Sequence, residues 1–226
     1  MTKMRVALLT AAMVLTVGGS AMADDKVVVG DILKFGNSWG TLAGEYIATE
    51  QPPQNNVAFE TFCVQTSEYL NFGDNTFKVT GVSTKSVYAT PHDLMAETAY
   101  LYSNFRAGTL AGYKYATDTL ANQNLRIASA DQLQQAIWYF QGQAGGVNNA
   151  FAQAATAAVT GPSPTWAGFG DVRILNLVWE HSDTGGFSTG MQAQDVLTTV
   201  PEPAFFQMGA LLGMSGVGFL RLRRKA

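Results

Sequence analysis

One cysteine, Cys63, and two histidines, His92 and His181, serve a chain of 226 residues. A lone cysteine cannot close an intrachain disulfide, so a disulfide-stapled scaffold is excluded. Two His and one Cys leave little for a zinc site, and no metal or cofactor is expected. Charged residues make up only 14%, with a formal net charge of −3, which argues against nucleic acid as a partner. There is no P-loop, GxSxG elbow, dinucleotide fingerprint or HExxH. Asp74-Asn75 sits in no DxDxDG loop. No repeat or Pro/Gly/Ser-rich linker divides the middle of the chain. What is present is a 47% apolar composition, which rules out a wholly disordered chain.

The two ends differ from the middle. Lys3 and Arg5 precede an apolar stretch, Val6 to Gly18, and Ala21-Met22-Ala23 forms a small-x-small cleavage site. Residues 1–23 therefore read as a signal peptide, too short for a membrane span and cleaved before Asp24. At the other end, Pro201-Glu202-Pro203 is followed by an uncharged stretch, Ala204 to Leu220, and then by Arg221, Arg223, Arg224 and Lys225. Seventeen uncharged residues sit at the short limit for a transmembrane helix, and the basic tail would stay cytoplasmic. This order of parts resembles the PEP-CTERM sorting signal of Gram-negative bacteria (residues 200–226). The resemblance implies export, transient anchoring in the inner membrane, and recognition by an exosortase after signal peptidase has acted. It places the domain at the outer cell surface or in an exopolysaccharide matrix. With the ends removed, Asp24 to Val200 holds 8 basic and 16 acidic residues, a net of −8.

Residues 24–199 read as one domain of ordinary size. Lys26 to Phe35, Asn56 to Gln65, Thr76 to Val82 and Ser86 to Ala89 have strand character. A helix is expected from Thr90-Pro91, with Leu94, Leu101 and Phe105 on its apolar face and Gly108 past its end. A second helix is expected to open at Ser129-Ala130-Asp131-Gln132, a capping box, and to bury Leu133, Ala136, Ile137 and Phe140 before Gly142. A third runs from Asn149 to Thr160, stopped by Gly161-Pro162. Arg173 to Trp179 and Met191 to Thr199 give late strands around the turn Ser182 to Gly186. The expected class is α+β: an antiparallel sheet or sandwich with a small cluster of helices, flanked by the signal and transmembrane helices.

Two segments carry chemistry. Phe62-Cys63-Val64 lies on an expected strand, and Leu133-Gln134-Gln135-Ala136-Ile137-Trp138 begins the capped helix. Together they resemble the thioester domains of bacterial surface adhesins, with an aromatic-Cys-aliphatic strand and a Gln-x-Ala-Ile-Trp helix. Thr98-Ala99-Tyr100-Leu101-Tyr102 looks like the helix between them. Leu133 stands where Thr or Ser is common, and Gln141 where Asp or Asn is usual. The resemblance implies an internal thioester between Cys63 and Gln134. Independently of the family, a thiol attacking an amide is helped by a helix N-terminus, where Gln134 is expected to lie. Trp138, four residues on, shares the face of Gln134 and would shield the bond from water.

Three functions follow as expectations. The first is a non-enzymatic surface protein that captures a surface amine, on a polysaccharide or protein, in a single covalent event. The second is a structural matrix protein that binds polysaccharide without a reactive bond. The third is a hydrolase pairing Cys63 with His92 or His181.

Overall fold

The computed structural model describes residues 27–37, 39–40, 44–51, 57–87, 91–183 and 186–200. The expected signal segment 1–23, the Pro201-Glu202-Pro203 motif, the span 204–220 and the basic tail lie outside these residues. Among the described residues no helix is long and apolar enough to cross a membrane.

The chain is α+β. Six strands, β1 (Ile32–Asn37), β2 (Tyr46–Glu50), β3 (Ala58–Thr61), β4 (Thr76–Ser83), β5 (Val172–His181) and β6 (Val196–Thr199), form a single sheet. Three helices, α1 (Ala96–Arg106), α2 (Leu120–Phe140) and α3 (Ala150–Thr160), fall between β4 and β5. The strand order is β3-β2-β1-β4-β5-β6, and every pairing is antiparallel.

The sheet curls until its two edges meet. The residues just after β3 pair with β6: Leu197 donates to the Phe62 carbonyl at 3.0 Å, and Val64 donates to the Asp195 carbonyl at 3.1 Å. Cys63 lies opposite Val196 in this seam. The closure satisfies backbone groups that an open edge would leave unpaired.

Alternation along the seam then sorts side chains into two cores. Cys63 joins Phe35, Tyr46, Phe59, Phe77 and Trp179 in one core enclosed by the sheet. Phe62 and Val64 point the other way, into a core shared with Leu101, Tyr102, Phe105, Leu133, Ile137 and Phe151 of the helices. The expected antiparallel sheet or sandwich with a small cluster of helices is thus one curled antiparallel sheet with a helical layer against it.

Several boundaries differ from expectation. Strand β1 starts at Ile32, because Val29 and Gly30 form a turn with Gly30 at φ 105°. Helix α1 begins at Ala96, so Pro91 and Asp93 precede it. The N-cap residue of α1, Met95, offers no side-chain bond. Its cap comes from Gln141: set with both amide ends satisfied, the oxygen takes the Met95 N–H and the Thr98 hydroxyl, and the NH2 donates to the Asp93 carbonyl. Ser86 and Val87 form no strand, although Lys85 bridges to Asp93. Strand β6 begins five residues later than Met191. Helix α3 and its Asn149 cap, which accepts from Phe151 and Ala152, match the reading.

The largest departure is α2. It opens at Leu120, capped by the Thr119 side chain accepting from Asn122. The expected cap residue, Ser129, lies inside the helix and donates to the Leu125 and Arg126 carbonyls. Gln134 therefore sits in the C-terminal half of a 21-residue helix. The positive end of the helix dipole is about four turns away, too far to act on Cys63.

Candidate functional site

Strand β2 makes its last pair with β3 at Tyr46 and Thr61. A continued ladder would bring Gly44 opposite Cys63. Instead Glu45 takes a left-handed conformation (φ 49°) and the backbone turns away. The side-chain amide of Gln134 fills the vacated place. The Cys63 N–H donates to Gln134 Oε1 at 3.0 Å, and Gln134 Nε2 donates to the Cys63 carbonyl at 2.7 Å. A primary amide carries the same donor and acceptor as a peptide unit, so it completes the ladder. Both residues are fully buried. The packing is tight at Gly44, where a Cβ would lie 3.0 Å from the Gln134 Cβ and press on that side chain.

The thiol points into the sheet-enclosed core. Burial pushes it well above the ordinary range for cysteine; a hydrogen bond with the Tyr46 side chain pulls the other way, and the Glu68 charge adds to the rise. Tyr46 is itself raised by burial and by Cys63. Neither histidine is among the groups acting on the thiol. His92 is tied to Ser86 through its backbone, and His181 closes β5 opposite Thr76. A Cys–His pair is not assembled.

Trp138 follows Gln134 by one helical turn and is 8% exposed. With Tyr46, Thr66, Glu68, Tyr69 and Gln194 it walls a cleft of about 170 Å³. The cleft is linked to Cys63 through Tyr46, whose side chain is bonded to the thiol. Two of its lining residues each carry a polar atom sealed from solvent without a hydrogen-bond partner, Trp138 Nε1 and Glu68 Oε2. The other Glu68 oxygen accepts from Ser67 Oγ at 2.9 Å. Burial, followed by the Asp195 charge, holds the Glu68 carboxyl above its usual range.

Two polar clusters brace the site. Arg126 on α2 bonds Glu45 through Nε at 2.9 Å, Glu60 through Nη2 at 2.7 Å and the Tyr115 carbonyl at 3.0 Å. Tyr113 donates to the remaining Glu45 oxygen. This network fixes the left-handed turn that ends β2. At the seam, the buried Asp195 carboxylate accepts from the N–H groups of Leu177 and Val87 and from Asn176 Nδ2, each at 3.0 Å. Burial still lifts it to about 6.

Tyr46, Glu68, Glu45 and Arg126 carry no sequence motif; the fold alone gathers them. Among the described residues no cluster of His, Cys, Asp or Glu could hold a metal ion. No family model matches the chain, and no curated protein or solved structure is significantly similar to it.

Proposed function

We propose that this chain is an exported surface or matrix protein whose Cys63–Gln134 pair forms an internal thioester and captures an amine. One observation carries the reading. A wholly buried carboxamide from a helix grips the backbone of the chain's single cysteine, 71 residues away in sequence.

The chemistry follows from that grip. The thiol sulfur attacks the Gln134 carbonyl carbon, and the Cys63 N–H already bonded to Oε1 stabilises the developing oxyanion. The C–N bond breaks, and the thiol proton leaves with the amide nitrogen as ammonia. An incoming amine reverses the sense: it attacks the same carbon, forms an amide, and returns the sulfur to a thiol. The cycle ends there, so the protein acts once and does not turn over. Export and exosortase sorting through Pro201-Glu202-Pro203 are part of the same proposal and rest on the sequence of the two ends.

Methylamine provides the test. The full chain incubated with it is expected to gain one methylamide, mapped to Gln134, and the Cys63→Ala variant none. An unlabelled Gln134 in the wild-type chain contradicts the reading.

The same hydrogen bonds favour a second reading. A carboxamide whose two ends replace a ladder partner is a sufficient structural reason for Gln134. The protein would then act by non-covalent binding.

A further inference from the structure

Tyr46 belongs to two places at once. It lines the cleft, and its side chain is hydrogen-bonded to the Cys63 thiol. The sheet register puts it there. Tyr46 is the ladder partner of Thr61, and Cys63, two residues further along, shares its core. A diagonal cross-strand neighbour of this kind is within reach of an aromatic side chain. The ring is held as well. It packs on Phe72 with centroids 5.3 Å apart, and it follows directly on the Glu45 turn that Arg126 fixes.

The surroundings of the sulfur give that contact a chemical task. Cys63 is fully buried and shares its core with Phe35, Phe59, Phe77 and Trp179. Burial and the Glu68 charge both hold the thiol above its ordinary range, so a bare thiolate is costly there. A sulfur that leaves the Gln134 carbonyl carbon therefore needs a proton as the C–S bond breaks. Glu68 acts on it through charge, and neither histidine acts on it. The Tyr46 hydroxyl is the donor in contact with it.

We propose that Tyr46 is the general acid of the capture step, an inference that rests on the thioester reading above. The amine, as its free base, attacks the Gln134 carbonyl carbon and forms the C–N bond. As the C–S bond breaks, the Tyr46 O–H proton passes to the departing sulfur. The proton that the nitrogen sheds in becoming an amide replaces it on the phenol, by way of the cleft that Tyr46 lines. The products are an amide at Gln134, the Cys63 thiol and an unchanged Tyr46.

The test follows the full chain in methylamine by intact mass, wild type against Tyr46→Phe, which keeps the ring and loses the hydroxyl. Both chains are expected to be lighter than their sequences by one ammonia before the amine is added. The variant should then take up methylamine about 10²-fold more slowly or worse, the loss of a positioned general acid. In D2O, uptake by the wild type should slow and uptake by the variant should not, a difference that altered packing would not produce. Phe72→Leu, which loosens the ring and keeps the hydroxyl, should retain the isotope effect and most of the rate. Equal rates in wild type and Tyr46→Phe overturn the inference and leave the thioester standing. A light wild-type chain beside a Tyr46→Phe chain at full mass also overturns it, since the hydroxyl would then serve bond formation and not capture. A wild-type chain at full mass removes the thioester and this inference with it.

Discussion

Helix α2 carries two buried polar sites on one face, and they are solved in opposite ways. At Arg126 every group is matched: two carboxylates and a carbonyl close around the guanidinium, and a phenol donates to the remaining Glu45 oxygen. At Gln134 and Trp138, about two turns further on, the amide is matched, but the indole N–H is not, nor is one oxygen of Glu68. The first site is closed and makes the β2 turn. The second borders a cleft. A polar group with all its partners holds the fold together, whereas one sealed in without them takes stability away.

Substitutions at the matched site are therefore expected to cost the most stability, and those at the unmatched atoms the least. Arg126→Ala strands Glu45, fully buried, without its counter-charge, and is expected to lose about 3–5 kcal/mol in urea unfolding. A loss below about 1 kcal/mol would place Arg126 among ordinary surface pairs. Gln134→Ala removes both partners of the Cys63 backbone and leaves a void, with an expected loss of about 2–4 kcal/mol.

Asp195→Asn keeps the shape but turns an NH2 group either toward the Leu177 N–H or toward the Val87 N–H and Asn176 Nδ2, for a loss of about 1–3 kcal/mol. It also tests a pH effect. The carboxyl is raised to about 6 from 3.8, so the folded state holds its proton more tightly than the unfolded chain. Its stabilising contribution is therefore complete below the ordinary value and is lost as pH rises through about 6. The wild-type stability measured relative to Asp195→Asn should decline across that window and level off above it. A flat difference would mean that its three N–H donors keep the group ionised throughout. The smallest effect is expected at the cleft: Glu68→Gln removes a buried charge with an unpaired oxygen and should change stability by less than about 1 kcal/mol.

The same contrast governs what could be read from sequence. Helix α3 was legible because Asn149 caps it and Gly161-Pro162 stops it. The second half of α2 was legible through its period, Leu133, Ala136 and Ile137, all buried. Its first half was not, because Leu120 and Leu125 are exposed and break the period, while Ser129 to Gln132 imitates a start. Strand β2, Tyr-Ile-Ala-Thr-Glu, was missed: five residues with Ala at the central buried position give a weak alternation. The pairing of Cys63 with Gln134 was anticipated from the two motifs. The helix-dipole argument attached to it fails with the longer helix, and the clamp on the Cys63 backbone takes its place. Tyr46, Glu68 and Arg126 were invisible because each lies in an undistinguished stretch and acquires its role only when the sheet closes.

The central claim is that the Cys63 sulfur and the Gln134 carbonyl carbon become bonded, and intact mass measures it directly. The comparison is between the wild-type chain and Cys63→Ser of the same boundaries, both without added amine. The account predicts a wild-type chain lighter than its sequence by one ammonia and a variant at full mass. A wild-type chain at full mass, whose thiol titrates once the protein is unfolded, would contradict it.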